Sequence, residues 1–234
     1  MADGAVRARG LHEFVIDHIG QRIAAGELRT GSQILPEVIG SELGVSRTVV
    51  REALRDLQAK GMVLPRPKTG TRVLSVEDWN LLDEQVISWR VRTPARIDQL
   101  RELMDLRCGV ELSAIRASCQ RATERDLAEL GRCCDAMEQG LLAADPTAFT
   151  DADINFHNAL LKASGNLVFR QFAAPFAAVL RARDDLHLLP DQVDMAVVVV
   201  HRDIVAAIAA QDPQRATVAA DQLIQHARIE MGLA

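Results

Sequence analysis

Residues 44–63 read GVSRTVVREALRDLQAKGMV, and the reading of the N-terminal third turns on this stretch. Gly44-Val45 makes a tight turn and Ser46 is placed to cap a helix. Val49, Val50, Ala53, Leu54 and Leu57 then recur at helical spacing to about Ala59. Upstream, Pro36 opens a short helix reaching Leu43. Before it, residues 11–26 carry Leu11, Phe14, Val15, His18, Ile19, Arg22 and Ile23 as a helical stripe, and GELRTGSQI reads as a turn. Downstream, Gly61 stops the helix, and two extended pieces, 62–64 and 71–74, flank a loop as the strands of a β-hairpin would. Helix, tight turn, helix, hairpin is the order of a winged helix-turn-helix, whose second helix enters the DNA major groove. Ser46, Arg47, Thr48 and Arg51 lie at the start of that helix, where they can meet phosphates and base edges. Arg47 or Arg51 could fork onto guanine. Arg66, Lys68, Gly70 and Thr71 fall on the hairpin, where a wing would touch an adjacent groove or the backbone. The bland alternative is a small helical domain with ordinary solvated arginines.

Charge is distributed in keeping with a head that meets a polyanion. Residues 1–76 hold 11 Lys and Arg against 8 Asp and Glu, whereas the remainder carries a net −8 and the whole chain −5. The 234 residues are 48% hydrophobic and 25% charged, enough for a real core, with only eight aromatic residues. That scarcity argues against a β-sandwich and against base-stacking platforms for single-stranded nucleic acid. No apolar run approaches the length of a membrane span, and the polar N-terminus has no hydrophobic signal region, which places the protein in the cytosol. Cys108, Cys119, Cys133 and Cys134 form no CxxC pair and read as buried thiols.

After Ser75 no further strand is visible. Thr93-Pro94, Asp145-Pro146 and Asp212-Pro213 each pair a cap residue with proline at the first helical position, and Thr123 to Asp126 resembles a capping box. About seven helices over 78–232 form an all-α bundle. The fold is therefore mainly α, with a winged helix-turn-helix over 1–76, a connecting helix over 77–92 and an all-α domain over 93–234.

Several helices of the body turn polar groups inward. Phe149, Asp153, Phe156, His157 and Leu160 form one stripe, and Asp153 and His157, four apart, can converge on a single ion. Val197, His201, Ile204 and Ile208 turn His201 inward, and Leu100, Leu103, Arg107 and Val110 do the same for Arg107. Such groups cannot stay unpaired. They could converge on one metal and one anionic ligand, or each could be satisfied separately, Asp153 by an arginine on a neighbouring helix.

GVSRTVVREALRDLQAKGMV followed by RPKTGTRV closely resembles the DNA-binding domain of the GntR family of bacterial transcription regulators. The second helix, ILPEVIGSELGVS, is shorter than the family's and has Ile39 near the place of a usual arginine, so no DNA contact is carried over to it. The body, with WNLLD at 79–83 and Trp89, resembles the FadR-type C-terminal domain, most like repressors of galactonate and related sugar-acid catabolism. Related domains place an Asp, a His four residues later and two further His around a divalent metal. Asp153, His157 and His201 match three places; the fourth falls on Leu223, and His226, one turn on, is the candidate substitute.

The resemblance implies a homodimeric repressor, not an enzyme, with effector binding and dimerisation in the all-α domain, whose hold on a double-stranded operator is released by a small organic acid, a sugar acid by the likeness to those repressors. Arg107, Asn155 and His187 are the candidate effector contacts; Asp153, His157, His201 and His226 the candidate ligands of zinc, nickel or manganese. Two other readings remain open: the ion itself as the signal, and a metal-dependent hydrolase with a DNA-binding adaptor, using Asp194 or Asp203 as base.

Overall fold

In the computed structural model, which describes residues 2–66, 70–186 and 194–233, the chain divides into two compact units, 1–96 and 97–234. In the first, α1 (Ala2–Ala24) packs on α3 (Arg47–Ala59), with α2 (Pro36–Leu43) joined to α3 through Gly44 in the left-handed conformation. Ser46 caps α3, its hydroxyl accepting from the Val49 amide at 3.4 Å. Val50, Ala53, Leu54 and Leu57 are buried against Val15, Ile16, Ile19 and Ile23. The buried stripe of α1 is thus 15, 16, 19 and 23, and Phe14, expected inside, is 53% exposed.

The wing has three strands rather than two. β2 (Val63–Arg66) and β3 (Gly70–Val73) form the expected hairpin, and β1 (Gln33–Ile34) adds to the other edge of β3, pairing Gln33 with Arg72 and Ile34 with Thr71. Two residues are too short for a period-2 signal, so β1 read as a turn. Gly61 (φ +73°) sits so close to the Asp78 carbonyl that a Cβ would lie 2.2 Å from its oxygen, which only glycine permits.

Beyond the wing, Asp83 caps α4 (Glu84–Arg90), whose Trp89 lies flat against Gly20 of α1 and donates its indole N–H to Asp17 Oδ1 at 3.0 Å. Lys60 pairs with Asp83 at 2.7 Å, so α4 is held within the first unit.

The regular elements among the described residues of the second unit are all helices: α5 (Arg96–Arg121), α6 (Glu124–Leu142), α7 (Pro146–Ala163), a 3-10 turn (Phe169–Phe172), α8 (Ala173–Asp185), α9 (Ala196–Ala209) and α10 (Pro213–Glu230). Asp145 and Asp212 cap α7 and α10 ahead of their prolines, and Thr123 with Asp126 closes a reciprocal capping box. Thr93-Pro94 forms a turn, and α5 starts two residues later than the proline suggests. Phe149, Phe156, Leu130, Met137, Ile204 and Ile208 centre the core between α6, α7 and α9. All four cysteines are free; Cys119, Cys133 and Cys134 are buried as expected, whereas Cys108 is only half-buried, and burial raises each thiol, Cys134 to about 12, so none has the low pKa of a redox sensor. No helix among the described residues is long and apolar enough to cross a membrane.

A Cβ at Gly20 would meet the Trp89 ring at 2.5 Å. Gly20→Ala should therefore lower the urea midpoint of unfolding by the equivalent of about 1–3 kcal/mol despite the better helix propensity of alanine. An unchanged or raised midpoint would show that Trp89 does not need this close seat.

Candidate functional sites: a basic helix face and a buried polar cavity

Arg47, Thr48, Arg51 and Arg55 share the exposed face of α3, and its core stripe lies on the other side. Arg47 is 3.5 Å from Glu37 of α2, and Arg55 is paired with Glu52, while Ser46 is committed to its cap. Helix α2 has Leu35 at its N-cap position, with no side-chain cap, and Pro36 in its first turn. On the wing, Arg66 is exposed on β2 and Gly70 (φ +83°) turns the chain into β3. Thr71 does not face outward. It is 7% exposed and packs inside, and its outward neighbour is Arg72, which the sequence reading passed over. The alternation of β3 carries that signal. Lys68 lies outside the described residues.

The second site is assembled from four helices. Asp153 and His157, one turn apart on α7, share a buried face with Arg107 and Glu111 of α5, Arg183 of α8 and His201 of α9. Asp153 Oδ1 lies 3.3 Å from both His157 Nε2 and His201 Nε2, while Arg183 donates to Oδ2 at 3.0 Å. His201 donates Nδ1–H to the Val197 carbonyl at 2.8 Å, which leaves the lone pair of Nε2 facing the cavity. His157 Nδ1 is 2.9 Å from Glu111 Oε1, off the line of a good hydrogen bond, and Arg107 Nε donates to the same oxygen at 3.0 Å.

Electrostatics follow from this packing. Burial alone would raise the Glu111 carboxyl, but the Arg107 guanidinium and His157 outweigh it and hold it at about 2. Burial opposes the Asp153 charge likewise, yet the two imidazoles facing it and the Arg183 guanidinium keep its carboxyl well below the usual range. Burial and Arg107 push the His157 imidazole down, and Glu111 and Asp153 more than reverse this.

Asp153, His157 and His201 each bring one ligand atom to within 4.8 Å of the others. Asp153 Oδ1 and His201 Nε2 are fully buried without a hydrogen bond, a state that buried polar atoms rarely keep. The space they face, bounded also by Phe149, Leu223 and Glu230, measures about 20 Å³, room for one ion or water. Two imidazole nitrogens and one carboxylate oxygen, two of these atoms unsatisfied, fit a divalent ion of zinc, nickel or manganese type. His226 is 56% exposed at the mouth and pairs with Glu230 at 3.3 Å, so it stands apart from the three. Asn155 points away, into a groove between α6 and α7, and His187 lies outside the described residues. Sequence reading missed Glu111, Arg183 and Glu230. Arg183 extends the stripe Phe176, Val179, Leu180, so its inward direction was legible.

A winged helix-turn-helix followed by a helical domain with a buried polar site defines a DNA-binding regulator. The chain belongs to the GntR family: residues 11–73 match the family of bacterial regulatory proteins of that name, and residues 102–226 match the FCD domain. It is 29% identical to the galactonate operon transcriptional repressor of Escherichia coli over 90% of this chain and 92% of that protein. It is 30% identical to the Escherichia coli HTH-type transcriptional regulator YieP, over 73% and 75%. Among solved structures, the Listeria monocytogenes regulator Lar, which controls expression of the agr system, superimposes with a TM-score of 0.66 at 18% identity, covering 94% of this chain and 95% of that one. These relatives are transcriptional regulators, and the hydrolase reading falls away. Asp203 is tied to Arg215, and Asp194 Oδ1 accepts from the Ala196 amide.

The Glu111 carboxyl holds its charge to lower pH in the folded state than in the unfolded chain. Its stabilisation is therefore full above about pH 5 and lost as pH falls from 4.5 toward 2. That difference corresponds to on the order of 3 kcal/mol. Glu111→Gln should flatten the acid limb of the stability profile by this amount, and parallel profiles for the two proteins would contradict the pairing.

Proposed function

We propose that this GntR-family regulator is a homodimeric repressor that releases its operator when a small organic acid binds, together with a divalent ion, in the cavity of the helical domain. The observation that carries the reading is the pair of buried, unsatisfied ligand atoms, Asp153 Oδ1 and His201 Nε2, around an ion-sized space beside Arg107. In this reading Asp153, His157 and His201 hold the ion, and His226 stands at the entrance. The Arg107 guanidinium, a planar fork suited to a carboxylate, receives the acid. A second cavity of about 230 Å³ shares Val197, Leu223 and His226 with the first, and the hydroxylated chain of a sugar acid extends there past Leu223. The galactonate repressor among the relatives supports a sugar acid as the effector class.

Arg47, Thr48 and Arg51 on α3 and Arg66 with Gly70 on the wing are the proposed operator contacts, with Lys68 expected beside them. A dimer follows from the half-site that one recognition helix covers. The ion alone as the signal is the second reading, favoured by a space that admits an ion but no acid without widening.

The test uses duplexes selected from a random library by the chelator-stripped full-length protein. Mobility shifts are then followed with Zn2+ alone, with a panel of sugar and hydroxy acids alone, and with both. Release that needs an acid and Zn2+ together is expected. Release by Zn2+ alone would make the ion the signal, and persistent binding under every condition would overturn the effector reading. Arg51→Ala should weaken binding to the selected duplex by roughly 1–3 kcal/mol with the fold intact. Unchanged affinity would remove α3 from the interface.

A further inference from the structure

Arg107 stands where a bound ion would need the lone pair of His157. Glu111 Oε1 faces both Arg107 Nε, at 3.0 Å, and His157 Nδ1, at 2.9 Å. With its Nδ1 side against a carboxylate, His157 keeps its proton there and turns the lone pair of Nε2 inward. Arg107 Nη2 lies 2.5 Å from that Nε2. A guanidinium nitrogen offers no lone pair, so Arg107 is the donor and Nε2 the acceptor. Yet the same Nε2 is the His157 atom that faces Asp153 Oδ1, at 3.3 Å, with His201 Nε2 at the same distance from that oxygen. One lone pair serves one partner.

We propose that Arg107 is an internal plug: its guanidinium and a divalent ion exclude each other at His157 Nε2, and entry of the ion frees the guanidinium end to bind the acid. The inference rests on reading the cavity as an ion and acid site. The Nε–Glu111 hydrogen bond tethers the side chain, so displacement turns only the Nη2 end away from His157. Charge balance points the same way. Arg107 and Arg183 face Glu111, Asp153 and Glu230, two cations against three anions. A proton on His157 brings this cluster only to neutrality, and it gives an organic acid no attraction. A divalent ion reverses the sign of the cluster while releasing the fork that a carboxylate needs. Arg183 is not available for that task, because it stays between Asp153 Oδ2 and Glu230. Arg107 thus opposes the ion and serves the acid, and the ion binds first.

This opposition gives a sign that an ordinary supporting residue would not. Removing an outer-shell partner of a metal ligand typically weakens metal binding by roughly 10–100-fold. Removing Arg107 should strengthen it. Zn2+ is titrated calorimetrically into the chelator-stripped full-length wild type, Arg107→Ala and Arg107→Met, the second of which fills the space of the arginine stem if the alanine variant does not fold, and both of which leave Glu111 in place against His157. Binding tighter by about tenfold or more in the variants is the expected result. Equal or weaker binding than the wild type overturns the plug while leaving the cavity a metal site. Absence of Zn2+ binding in all three proteins overturns the plug and the ion reading together.

Discussion

The helical domain is organised around a buried charge cluster. Arg107, Glu111, Asp153, His157, Arg183 and His201 are removed from water on four different helices, and each is stable there only because the others are present. An uncompensated charge in such a place costs several kcal/mol, so the helices must meet at one mutual arrangement. The apolar side of the cluster enforces the same geometry. Phe156 sets its ring edge-on to both His157 and His201, at centroid distances of 5.5 and 4.7 Å, and thereby fixes the planes of the two imidazoles. The ring nitrogens are then aimed by Glu111 on one side and by the Val197 carbonyl on the other. Preorganisation of this kind leaves ligand atoms facing a small space at no further conformational cost.

The DNA-reading unit depends on more local forces, and so more of it was legible in the sequence. Turn, cap and apolar stripe of α3 lie within 20 consecutive residues, and the structure keeps all three. Where the reading slipped, the missing information was tertiary. Phe14 fits the helical stripe of α1 as well as Ile16 does, and only packing against α3 decides which is covered. β1 is two residues of strand defined by its partner, not by its own pattern. Thr71 and Arg72 differ by one position in register, and a strand turns every side chain over with such a step.

The cavity was legible in part for the opposite reason. A polar residue on an apolar stripe is an anomaly that periodicity exposes, and Arg107, Asp153, His157 and His201 were all found in this way. Glu111 was not, because an Arg and a Glu four apart on a helix look the same whether the pair is buried or exposed. Asn155 shows the converse: two residues from Asp153, it is turned about 200° around α7 and meets a different surface. Leu223 faces the cavity as a wall, so the candidate ligand set among the described residues is Asp153, His157 and His201.

The proposed release of the operator depends on a divalent ion held by Asp153 Oδ1, His157 Nε2 and His201 Nε2. The most direct test is an anomalous-difference map from crystals of protein purified without chelator and supplied with Zn2+, collected on both sides of the zinc absorption edge. The account predicts one peak among those three atoms, absent below the edge, with the guanidinium end of Arg107 turned away from His157. A map without a peak there, and with Arg107 still on His157, would contradict it.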